Sequence, residues 1–158
     1  MRRMSSFVWL LAVLLCVNEP AQAAHFYLGG LGGYSQPSKG DSAFSYGANL
    51  GFFVGMRPMV GLGVHALTVN RSNDGGIGNR LTSYAGEALV MPGMFTFGFR
   101  LGQMNSGLGN HSLIGGLIGY DFNLANHFTL GFQGAYQTIL ASTRFSVFDG
   151  LASLKFWF

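Results

Sequence analysis

Residues 95–102 constrain the fold more than any others. Phe95, Phe97, Phe99 and Leu101 alternate with Thr96, Gly98, Arg100 and Gly102. Side chains of a strand point alternately to its two faces, so this segment reads as a strand with one bulky apolar face and one small or polar face. The end of the chain repeats the pattern. Phe158, Phe156, Leu154, Ala152 and Gly150 share one face, while Trp157, Lys155, Ser153, Leu151 and Asp149 share the other. Such apolar faces need a covering. Only 9% of the 158 residues are charged, against about 25% in soluble domains, too few to coat a water-facing surface. Past the N-terminus, no apolar run approaches the ~20 residues of a spanning helix. In lipid only helices and closed barrels satisfy their own backbone polar groups. An all-β closed transmembrane barrel is therefore expected.

The N-terminus reads as a cleavable signal peptide over 1–23. Arg2 and Arg3 precede an apolar core from Phe7 to Val17, and Ala21-Gln22-Ala23 supplies small residues at a cleavage site before Ala24. The core is too short for a membrane anchor. The residues before Cys16 are Leu14 and Leu15, which are wrong for a lipoprotein site. Residues 24–158 then form a single barrel domain. Without Arg2, Arg3 and Glu19, seven basic and five acidic residues remain. That balance is too weak to indicate nucleic acid. No cysteine remains either, which excludes disulfide and thiol chemistry.

Eight strands are expected, near 25–34, 46–56, 59–69, 84–91, 95–102, 113–122, 128–137 and from 147 to the end. Short turns fall at Arg57-Pro58, Pro92-Gly93 and 123–126. Longer polar or glycine-rich stretches fall at 35–45, 70–83, 103–112 and 138–146. An even strand number with alternating turns and loops is the signature of an eight-stranded antiparallel up-and-down barrel.

In such a barrel the interior is just wide enough for side chains to fill it. Phe95, Phe97, Phe99, Phe128, Leu130 and Phe132 are expected to face lipid. His65, Glu87, Arg100 and Lys155 are expected to form an interior polar cluster, with Glu87 and Arg100 close to diagonal neighbours across the Pro92-Gly93 hairpin and Lys155 joining them. Asp121 and Asp149 lie on the same face nearer its ends. A conduction path is one reading of these charges, and a structural polar plug is the favoured one. Tyr34, Tyr46, Tyr84, Tyr120, Tyr136 and Trp157 fall near strand ends, where interfacial girdles form. Gly61-Leu62-Gly63-Val64-His65-Ala66 matches a dinucleotide fingerprint only formally, because alternation runs through it where a helix should begin. His25, His65, His111 and His127 lack metal-ligand spacing, with His111 expected in a loop. No cofactor is called for.

The chain resembles the OmpA/OmpX-type small outer-membrane β-barrels, including opacity-like surface proteins. The resemblance rests on the signal peptide, the strand pattern and the terminal Phe158. It rests also on His25-Phe26-Tyr27-Leu28-Gly29-Gly30 leading to Gly33-Tyr34-Ser35, and on Asn123 to Phe132 as a last turn and following strand. It implies residence in the bacterial outer membrane, with turns in the periplasm and loops outside. Implied partners are outer-membrane lipids and lipopolysaccharide, the barrel-assembly machinery, periplasmic chaperones and, through the outer loops, host surfaces. Phe158, Phe156 and Leu154 would be the signal read during assembly. The implied role is structural or surface-interacting. One departure is that the outer loops are short, where adhesive members carry long loops or protruding strands. Three other readings stand beside this one. A lipid A deacylase-like enzyme needs a His-x-Ser element and a glutamate on the membrane side, whereas this chain has adjacent His111-Ser112 and an inward Glu87. A narrow small-solute pore needs an open interior. A soluble lipocalin-like barrel needs a polar exterior.

Overall fold

A computed structural model describes residues 24–38, 41–55, 58–70, 80–105, 109–141 and 145–158. The expected signal peptide, Met56, Arg57 and parts of the expected loops lie outside the described residues. Eight strands follow in order: β1 (His25–Pro37), β2 (Ala43–Val54), β3 (Met59–Asn70), β4 (Arg80–Met91), β5 (Phe95–Asn105), β6 (Asn110–Ala125), β7 (Phe128–Leu140) and β8 (Phe145–Trp157). Each pairs antiparallel with the next, and β1 pairs with β8, so the barrel is closed and no edge is left open. Tyr27 opposes Trp157 at one end of that seam, and Pro37 opposes Val147 at the other. The Phe158 N–H donates to the Phe26 carbonyl at 3.0 Å, and the Trp157 N–H donates to the His127 carbonyl at 2.8 Å. The fingerprint-like stretch 61–66 runs unbroken inside β3, as its alternation requires.

The strands are longer than expected, from 11 residues in β5 to 16 in β6. The expected loops 103–112 and 138–146 shrink accordingly, and His111 lies on β6 rather than in a loop. The cause is visible on the two faces at the loop end. Outward Thr82, Gln103, Asn105, Asn110 and Ser112 are polar and read as loop residues in sequence. Their inward neighbours Leu81, Met104 and Leu113 continue the alternation and pack with Val69, Ile139 and Val147. A 13-residue strand at ~3.3 Å per residue, tilted ~40°, rises about 33 Å, which exceeds an apolar band of ~25 Å. The wall therefore continues past the band as a collar, polar outside on β4–β6 and apolar inside, with Phe44 and Leu140 also exposed at this level on β2 and β7.

Between the collar and the turn end the wall has the opposite sense. Phe95, Phe97 and Phe99 are 49%, 45% and 46% exposed, and Phe128 and Phe132 are similarly exposed. Leu130 is half-buried between them. The outward aromatics touch one another across strands, as in the T-shaped pairs Phe95–Tyr120 and Phe128–Phe156. Tyr34, Tyr46, Tyr84 and Tyr136 also project outward toward the loop end. Trp157 does not join them. It shares the inward parity of Lys155 and packs against Tyr27 and Phe53.

The interior is less uniformly polar than the sequence suggests. Besides the loop-end cluster, Tyr27, Phe53, Leu89, Met91 and Leu117 form an apolar cluster toward the turn end, and Leu31, Leu67 and Leu151 form a third. The ionisable groups are packed among these clusters, not strung along an open channel.

Candidate functional site

Three polar groupings occupy the described interior. The first is built by a hairpin. Glu87 on β4 lies directly opposite Arg100 on β5, not diagonal to it. Arg100 Nε donates to Glu87 Oε1 at 2.6 Å, and both side chains are almost fully buried. The neighbouring strand adds His65, whose Nδ1 lies 3.2 Å from the same oxygen. One carboxylate thus serves two cationic or cation-capable partners on either side of it. Burying an ion pair is costly unless geometry and further bonds compensate; here both partners meet the one oxygen Oε1, while Arg100 Nη1 and the His65 ring nitrogens are buried without a hydrogen bond.

Lys155 does not join this cluster as expected. Its Nζ donates to both carboxylate oxygens of Asp121, at 2.8 and 2.7 Å. The Thr96 hydroxyl also donates to Asp121 at 3.3 Å, and Lys155 Nζ stands 5.6 Å from the Tyr27 ring centre. The reason lies on β7. Gly131 sits between Asp121 and Ser153 in the ladder, and a Cβ there would collide with the Asp121 carboxylate and the Ser153 hydroxyl. The missing side chain lets groups on β6 and β8 reach across an intervening strand.

Asp149 forms the third grouping. The Ser35 hydroxyl donates to its Oδ1 at 2.5 Å, and the Gln137 amide donates to Oδ2. Ser35 and Ser45 hydroxyls are 2.6 Å apart. This carboxylate is held by neutral donors alone, on strands β1 and β7 that flank β8. Alternation placed Asp121 and Asp149 on the inner face but gave neither a partner. Their partners come from non-adjacent strands or from Ser and Gln residues, and alternation does not rank those.

Together these groups are braces between strands. Apolar clusters lie toward both ends of the barrel. The elements of a deacylase-like centre are not brought together. His111 opposes Met104, four positions along β5 from the Arg100 that holds Glu87. The turn-end mouth does open into a cavity of about 660 Å3. Its lining includes His25, Met59, Met91, Asp121, Asn123 and Trp157.

The architecture is an eight-stranded up-and-down barrel with outward apolar and inward mixed side chains, the fold of the small outer-membrane β-barrels. Among solved structures the chain is similar to the Neisserial surface protein A. The TM-score is 0.62 at 15% identity, covering 89% of this chain and 100% of that one. It also matches the attachment invasion locus protein Ail of Yersinia pestis, with a TM-score of 0.48 at 12% identity, covering 84% of this chain and 97% of that one, in a complex with the heparin analogue sucrose octasulfate. No protein-family model and no curated protein matches the sequence.

Proposed function

We propose that this chain is an integral bacterial outer-membrane β-barrel with a structural or surface-interaction role and an interior filled by side chains. The observation that carries this reading is the belt of large apolar side chains left exposed on a closed barrel. In water such a belt would be an aggregation surface far larger than soluble monomers expose. In acyl chains it is the required solvent-facing surface. The signal-like segment 1–23 and the likeness of fold to the Neisserial surface protein A support the same reading.

In this proposal the short turns face the periplasm and the polar collar stands outside the outer leaflet. Outer-membrane lipids and lipopolysaccharide surround the belt, and the aromatic run Leu154, Phe156 and Phe158 is presented to the assembly machinery after periplasmic chaperones deliver the unfolded chain. Contact with host surfaces would be made by the loops and the collar. The test is outer-membrane fractionation with a gel run on heated and unheated samples. Closed barrels resist detergent unfolding, so the unheated protein should migrate differently from the heated one. Identical migration, or recovery in the cytosol, would remove the reading.

A further inference from the structure

The methionines of this chain are unevenly placed. Beyond the signal-like segment there are five, and four of them bracket two turns with the same spacing: Met56-Arg57-Pro58-Met59 and Met91-Pro92-Gly93-Met94. Met56 lies outside the described residues, but the other three of these converge. Met59 and Met91 oppose each other directly on β3 and β4. Both, with Met94 and His25, line the turn-end cavity of about 660 Å3. Met91 is buried, and Met59 packs against the same cluster of Tyr27, Phe53 and Trp157. Met94 stands at the rim, but its sulfur accepts the Tyr120 hydroxyl on the outer face at 3.1 Å, which leaves Met59, Met91 and His25 as the inner donors.

We propose that this mouth is a binding site for a soft monovalent d10 cation, Cu(I) or its analogue Ag(I), held by the thioethers of Met59 and Met91 and the imidazole of His25. Thioether sulfur and imidazole select Cu(I) over the hard cations, which demand several oxygens. The one carboxylate in the lining, Asp121, has both oxygens engaged by Lys155, so it offers little to calcium or magnesium. Lys155 also neutralises it, which suits a cation of low charge. Trp157 lines the same cavity, and an indole ring attracts a cation. Cross-strand partners have Cβ atoms about 5 Å apart, a separation that two flexible thioether arms can bridge through a shared ion. Methionine also serves as gap filler in irregular cores. That role explains the burial of Met91 but not two directly opposed thioethers and an imidazole around one open cavity.

The experiment uses the refolded 24–158 barrel in detergent. Cu(I) is titrated anaerobically against a chromogenic chelator, and Ag(I) is titrated against fluorescence. Trp157 is the only tryptophan after Trp9, so emission reports on the cavity itself. One equivalent should be withheld from the chelator, and Trp157 emission should change at the same stoichiometry. The paired variant Met59→Leu with Met91→Leu conserves volume and should weaken binding by about tenfold or more, with the heat-dependent gel shift retained. If that variant fails to fold, X-ray absorption on Cu(I)-loaded wild type decides alone by reading sulfur in the first coordination sphere. Failure of wild type to compete, equal binding by a folded variant, or a purely nitrogen and oxygen shell would each overturn the proposal.

Discussion

Arg100 is 1% exposed, and its burial is tolerable only because Glu87 faces it. Replacing Glu87 by Leu leaves that guanidinium without its carboxylate. Unfolding by denaturant in lipid should show a loss of about 3–5 kcal/mol, and the paired change Glu87→Leu with Arg100→Met should recover most of it. An equal loss in the paired variant would mean that the ion pair itself, not an orphaned charge, carries the stability. The shared inner face of Glu87 and Arg100 was legible from parity. Their register was not. A two-residue turn at Pro92-Gly93 would make them diagonal neighbours, but Val90 pairs with Phe97, and the longer turn slides β5 by two residues. A two-residue slip preserves faces and changes partners. The Lys155–Asp121 pair was not legible, because it crosses β7 at Gly131 and depends on the stagger of three strands.

At the scale of elements, the β4–β5 hairpin depends on one backbone conformation. Gly93 has φ of +78°, a region that side chains with a Cβ enter at a cost of about 1–2 kcal/mol. Gly93→Ala should destabilise the barrel by about that amount, and Gly93→Asn by less, since asparagine tolerates the left-handed region. Equal stability of Gly93→Ala and wild type in matched unfolding curves would contradict this. Turns with proline and glycine were readable for that reason. Strand ends at the other side were not. Outward Gln103, Asn105, Asn110 and Ser112 carry the composition of a loop, and only inward Met104 and Leu113 show that the wall continues. Polarity marks where a strand leaves the apolar band, not where it ends.

For the whole molecule, β8 closes against β1 from Val147 to Trp157, and Phe158 is bonded through its N–H to Phe26. If Leu154, Phe156 and Phe158 act as the assembly signal, deletion of Phe158 should lower the membrane-integrated, heat-shifting fraction in cells several-fold. Refolding of purified protein into detergent should change far less. Normal assembly in cells would refute that role. The larger claim concerns which way the barrel wall faces. It is tested most directly by brominated-lipid quenching in reconstituted bilayers. Trp157 of the wild type, turned inward against Tyr27 and Phe53, should be largely spared. A tryptophan placed by Phe97→Trp in a Trp157→Phe background should be strongly quenched. Emission at position 97 that bromine leaves untouched, or stronger quenching of Trp157 than of the residue at 97, would contradict the account.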